Sequence, residues 1–216
     1  MINNNSSFSW DLFNEAPIIG IVRGLSKETT LNIAKTFLES QLYTLEVTMN
    51  TEGATELINN LKNNFPKLNI GAGTVCTMVD CHRAITAGAQ FIVTPIINEE
   101  VITYCVSKNI PIFPGAYTPT EIYKAWSLGA SAVKVFPATQ LGPKYIKDVL
   151  APLNDIKLLP TGGVSKENIS SFFEAGAKGV GMGSSLLHKE YIATENFTDL
   201  KTHFLLIKQQ IQEYLK

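Results

Sequence analysis

Charge is scarce in this 216-residue chain: Asp, Glu, Lys and Arg make up 17% of it, and the net charge is −1. That balance gives no broad field for nucleic acid or an anionic membrane, so any bound anion must be held by a local site. No apolar run is long enough to span a bilayer. The opening stretch, Met1-Ile2-Asn3-Asn4-Asn5-Ser6-Ser7, lacks a basic segment followed by an apolar one. No secretory signal is visible there, and a cytoplasmic location is expected. Cysteine is sparse and odd in number, and Cys76, Cys81 and Cys105 read as reduced thiols rather than a disulfide framework. Cys76, Cys81 and His82 are close in sequence, but their spacing fits no usual zinc pattern, so no metal site is expected. His82, His188 and His203 all fall on helical stretches or in the tail. They read as surface residues, which leaves acid–base work to other side chains. Linkers and low-complexity tracts are missing beyond residues 1–7, a stretch expected to be flexible. The length fits one domain over 1–216.

What is present is a weak internal repeat. Ala87-Gly88-Ala89 before Phe91-Ile92-Val93 is echoed by Leu128-Gly129-Ala130 before Ala132-Val133-Lys134-Val135, and again by Ala175-Gly176-Ala177 before Gly179-Val180-Gly181-Met182. In each copy a glycine ends an amphipathic helix, and a short buried strand follows. Helix starts are equally legible. Thr118-Pro119-Thr120-Glu121 is a capping box with proline at the first helical position, and Ser165 and Asn98 stand where N-caps belong. Strands are predicted over 17–22, 43–47, 69–72, 91–93, 111–113, 132–135, 157–160 and 179–182. Helices are predicted over 27–39, 51–63, 78–87, 99–107, 120–128, 143–150, 166–174 and 199–214. Eight strand–helix units in strict alternation predict an α/β fold, a single (β/α)8 TIM barrel, with an extra N-terminal helix over 7–14 across its bottom.

In such a barrel the chemistry sits at the C-terminal strand ends. Lys134 is set in the apolar strand Ala132-Val133-Lys134-Val135. Burying a lone ammonium favours the neutral amine, and buried lysines can fall from about 10.4 to roughly 5–6. A neutral amine attacks carbonyl carbon, so a Schiff base is one reading; a snorkelling lysine paired with a carboxylate is the other. Glu46 in Thr44-Leu45-Glu46-Val47-Thr48 reads as the acid–base partner, or as a plain salt-bridge partner of Lys134. Thr161-Gly162-Gly163 and Gly181-Met182-Gly183-Ser184 follow the seventh and eighth strands, the common phosphate position of this fold. Taken singly, each glycine pair could also be a tight turn. Arg23 reads as a carboxylate clamp or a rim ion pair, and Phe136 and Pro95 as pocket walls.

From about Pro17 onward the chain resembles the 2-keto-3-deoxy-6-phosphogluconate and 4-hydroxy-2-oxoglutarate aldolase family. Six motifs carry the resemblance in order: Leu45-Glu46-Val47-Thr48, Gly71-Ala72-Gly73-Thr74-Val75, Pro114-Gly115, Lys134-Val135-Phe136-Pro137, Pro160-Thr161-Gly162-Gly163 and Gly181-Met182-Gly183-Ser184. It implies a class I aldolase without metal or other cofactor, a homotrimer acting on a phosphorylated keto acid. It implies Lys134 as Schiff-base lysine and Glu46 as acid–base, with Thr74 and Arg23 on the substrate carboxylate. Gly162, Gly163, Gly183 and Ser184 would take the phosphate, and Thr161 the sugar hydroxyls. Asn50 departs from the arginine of many gluconate-type members and looks like the phosphogalactonate branch, whereas Thr161 looks like the gluconate branch. Two rivals stay open: another phosphate-binding barrel, such as an aldose isomerase, and a barrel that binds ligand without catalysis.

Overall fold

The computed structural model describes residues 7–215. The flexible lead expected over 1–7 lies outside them, apart from Ser7. The strands are β1 (Ile18–Val22), β2 (Thr44–Thr48), β3 (Asn69–Gly73), β4 (Ile92–Val93), β5 (Ile112–Phe113), β6 (Gly115–Ala116), β7 (Val133–Val135), β8 (Leu158–Pro160) and β9 (Val180–Met182). The helices are α1 (Trp10–Glu15), α2 (Lys27–Glu39), α3 (Ala54–Asn64), α4 (Met78–Thr86), α5 (Glu99–Ser107), α6 (Pro119–Ser127), α7 (Gly142–Leu150), α8 (Ile169–Glu174), α9 (Lys189–Ala193) and α10 (Phe197–Gln209).

Local chemistry accounts for most of these boundaries. Thr118 and Glu121 form the capping box of α6, and the Asn98 side chain accepts the Val101 N–H at the start of α5. Helices α4, α6 and α8 end at Gly88, Gly129 and Gly176, with φ of 101°, 96° and 101°. Ser165 is not the cap of α8. That helix starts at Ile169 with Asn168 in the cap position, because the Asn168 carboxamide turns back to accept the Ser165 N–H at 2.8 Å. The strand expected at 111–113 is β5, and an unexpected short strand, β6, follows beyond Pro114, which has no N–H for a ladder. The last helix stops at Gln209, and α9 has no counterpart among the predicted elements.

All strand pairs are parallel. Six strands run in the order β5-β4-β3-β2-β1-β9, and three in the order β6-β7-β8. Thr161, just past β8, bridges in parallel to Gly181 of β9. The fold is therefore α/β, with a curled parallel sheet and helices outside it. Near-complete burial of the strands follows from cover on both faces.

The lower end of the sheet is closed by aromatics. Phe8, Phe13, Phe91 and Phe113 cluster with Ile19, Val93, Ala132 and Leu159. Phe91 meets Phe8 and Phe113 edge-on, at centroid separations of 5.4 and 5.8 Å. The Ser9 N–H donates to Asn69 Oδ1 at 2.8 Å, and Asn69 Nδ2 returns a bond to the Ser9 carbonyl at 2.9 Å. This pair ties the segment carrying α1 to the first residue of β3, across the bottom as the sequence predicts. Each buried phenylalanine contributes about 1.5–3 kcal/mol.

Candidate active site

Glu46 is central in β2, with Ile21 and Gly71 as its register partners. Only 2% of it is exposed, and its Oε2 has no hydrogen-bond partner. Burial pushes its carboxyl up from the ordinary 4.5 to about 7, although Lys134 and Arg23 pull the other way. Lys134 is the middle residue of β7, 5% exposed, between Gly115 and Leu159 in register. Its N–H donates to the Pro114 carbonyl at 2.9 Å, and its Nζ sits 4.6 Å from the Phe136 ring centroid. Burial lowers the Lys134 pKa, Glu46 raises it, and Arg23 lowers it further. The ion pairs among the described residues are Lys27–Glu56, Arg83–Asp80, Lys124–Glu99 and Lys201–Glu39, all involving exposed side chains. Glu46 and Lys134 thus feel each other electrostatically without a direct ion pair. Desolvation moves both toward their neutral forms, the state in which an amine is nucleophilic and a carboxyl is poised near pH 7.

A cavity of about 560 Å³, within the range of small-molecule sites, opens in the same structure. Arg23, Phe136, Thr161, Gly162, Gly163, Gly183 and Ser184 all line it. Phe136 belongs both to this wall and to the surroundings of Lys134, so it joins the cavity to the amine. Lys134, Glu46, Thr74 and Pro95 are not among the lining residues. Pro95 packs its backbone against Gly115, beside Lys134 in register. Thr74, the residue after β3, has φ 56°, a sparsely populated conformation for a β-branched residue. Arg23 is exposed, and its loop is fixed from below: the Gly24 N–H donates to Thr51 Oγ1 at 3.0 Å, and Thr51 Oγ1 pairs with Thr48 Oγ1 at 3.0 Å. Gly162 and Gly163 have φ of 90° and 75°, and a Cβ on Gly163 would press on Thr139 Cα, so only glycine carries the backbone round this wall.

The cavity also holds residues that no sequence signal marked: Leu25, Lys189, Ile192 and Ala193, the last three on α9. A five-residue helix carries too little periodicity to be read from the sequence. The expected surface position of His188 and His203 also needs correction. Both are half-buried, because His188 stacks on Tyr191 at 4.3 Å and His203 Nε2 meets the Ser185 carbonyl at 2.9 Å. His82 is exposed, as expected. Cys81 and Cys105 are fully buried with their sulfurs 3.7 Å apart.

A buried amine, a buried carboxyl with one unpartnered oxygen and a glycine-walled cavity thus stand in one α/β fold. A sequence model described as KDPG and KHG aldolase matches residues 11–202, and the chain belongs to that family. It is thus an aldolase, a lyase. A 2-dehydro-3-deoxy-6-phosphogalactonate aldolase of Escherichia coli is 35% identical over 79% of this chain and 84% of its own length. A 2-dehydro-3-deoxy-phosphogluconate aldolase of Haemophilus influenzae is 33% identical over 86% of this chain and 88% of its own. The solved KDPG aldolase of Legionella pneumophila, with pyruvate captured as a covalent carbinolamine, has a TM-score of 0.80 at 28% identity, covering 95% of this chain and 97% of that one. Among the described residues no helix is long and apolar enough to cross a membrane.

Proposed function

We propose that this chain cleaves 2-keto-3-deoxy-6-phosphogluconate to pyruvate and glyceraldehyde 3-phosphate through an imine on Lys134, and 4-hydroxy-2-oxoglutarate to pyruvate and glyoxylate as a lesser reaction. The observation that carries this reading is a buried Lys134 within electrostatic reach of a buried Glu46 and against Phe136, a wall of the cavity. The carbinolamine held by the Legionella relative supports it. Neutral Lys134 Nζ adds to the C2 ketone, and loss of water gives a protonated imine. Glu46, directly or through one water, removes the C4 hydroxyl proton. The C3–C4 bond then breaks, its electron pair flowing into the imine to leave an enamine while the aldehyde departs. Glu46 returns the proton to C3, and water hydrolyses the imine to free pyruvate. Arg23 and Thr74 hold the substrate carboxylate, Phe136 and Pro95 wall the reacting carbons, and Thr161 meets a hydroxyl. Gly162, Gly163, Gly183 and Ser184 take the phosphate, whose binding energy positions the distant reacting atoms.

The galactonate epimer is the second reading, favoured by Asn50 and by the Escherichia coli relative. Measuring kcat/KM for both epimers and for 4-hydroxy-2-oxoglutarate, on the parent and on Thr161→Val, tests the choice. A parent that favours the galactonate epimer overturns the first reading. An epimer ratio unmoved by Thr161→Val removes Thr161 from C4 recognition. A buried hydroxyl without its partner costs about 1–3 kcal/mol, so roughly 5- to 150-fold in that ratio is at stake.

The same reading takes residues 1–216 as one cytoplasmic aldolase domain, assembled as a homotrimer, whose two sheets close into a (β/α)8 TIM barrel. Barrel closure is supported at one seam by the chain running from β5 through Pro114 into β6, and at the other by the Thr161–Gly181 bridge. Light scattering that gives a monomer would remove the trimer.

A further inference from the structure

The cavity wall contains two cations, Arg23 and Lys189, and no carboxylate. Of the two, Arg23 has an electrostatic effect on the buried pair, Glu46 and Lys134. Lys189 is the first residue of α9, whose Ile192 and Ala193 line the same wall, and it follows the Gly183-Ser184-Ser185 turn. Its side chain is exposed and makes no hydrogen bond or ion pair within the described residues.

The backbone beneath Lys189 is fixed, although its head is free. The N–H groups of Leu186 and Leu187 donate to the Gly183 carbonyl at 3.0 and 2.8 Å, and both side chains are buried. His203 Nε2 meets the Ser185 carbonyl at 2.9 Å, and the His188 ring stacks on Tyr191. The lysine stem therefore starts from a set position on the cavity wall that also carries Gly183 and Ser184. Glycine-loop N–H groups offer only partial charges to a dianion. With a net charge of −1, the rest of the chain supplies no attractive field.

We infer that Lys189 is a further substrate-binding residue: its ammonium supplies the full counter-charge for the distal phosphate and sets the preference for phosphorylated over unphosphorylated keto acids. This rests on the phosphate end of the function proposed above. Such a lysine acts as a mobile point charge, so its effect weakens with salt.

The test compares kcat/KM for 2-keto-3-deoxy-6-phosphogluconate and 4-hydroxy-2-oxoglutarate at low and high ionic strength, on the parent, Lys189→Met and Lys189→Arg. Lys189→Met should lose about tenfold on the phosphorylated substrate, equivalent to about 1.4 kcal/mol. It should stay within about twofold on the other, and its substrate preference should lose most of its salt dependence. Lys189→Arg should retain both the preference and its salt dependence. A preference unchanged in Lys189→Met, or an equal loss on both substrates, overturns the assignment of Lys189. A parent that does not favour the phosphorylated substrate at all overturns the phosphate reading itself, whatever the variants do.

Discussion

Gly73 and Glu46 share one space: a Cβ on Gly73 would overlap Oε1 of the Glu46 carboxyl. The missing side chain at the end of β3 is what lets a glutamate on β2 bury its head within the sheet. The two residues are a unit in shape, although only one carries a titratable group.

Gly73→Ala should therefore destabilise the protein by about 1–3 kcal/mol through overpacking, and lower kcat by displacing the carboxyl. Adding Glu46→Ala should shrink that destabilisation, because the clash partner is gone. Urea unfolding of the two single variants and the double variant checks this, and strict additivity would contradict it.

Glu46→Gln should reduce kcat by about 10²–10⁴-fold, with a much smaller effect on pyruvate binding. Its stability effect has a definite sign. The folded carboxyl titrates near 7 against an ordinary 4.5, so ionisation is penalised in the folded state. Below about pH 4.5 the group is neutral in both states and the penalty is absent. It grows as pH rises toward 7 and is then constant, at about 3 kcal/mol. The Gln variant escapes it, so its advantage over the parent should grow between pH 4 and 8. A gap equal at pH 4, 6 and 8 would rule this out.

Pyruvate with borohydride should add one reduced pyruvate-derived mass, mapping to Lys134. Lys134→Ala should take up none. An adduct on Lys157 or another lysine would remove Lys134 from the centre of the chemistry. Chelator should leave turnover intact, and activity lost to chelator but restored by a divalent ion would point to a class II mechanism.

Arg23→Ala should raise KM for every substrate, bare pyruvate included, since Arg23 lies toward Glu46 and Lys134. Ser184→Ala should be milder and confined to phosphorylated substrates. Steady-state kinetics on three substrates separates the two patterns, and identical effects of both variants would mean that the cavity has no distinct ends.

The sequence revealed most where one local rule decides the outcome. The spans of α2 and α5 follow from apolar periodicity and caps, and Lys134 stands out because its strand is otherwise apolar. Tertiary packing decides the rest. Ser165 and Asn168 are both competent caps, and only the turn after β8 chooses between them. His188 and His203 lie off the strand ends, yet they are half-buried because α9 and α10 fold over the turn after β9. Lys189 was invisible for the same reason. Gly73 was legible as part of a motif, but its steric bearing on Glu46 appears only when two strands are laid side by side.

The aromatic floor around Phe8, Phe13, Phe91 and Phe113 has a consequence for molecular traffic. With the lower end stoppered, reactants and products share the upper mouth as a blind alley, and traffic in a blind alley runs last in, first out. On the function proposed above, the phosphorylated fragment would leave first, while the other is still bonded to the lysine. Water for the hydrolysis would then enter by the same door, so the floor confines both arrivals and departures to one end of chemistry that it never touches.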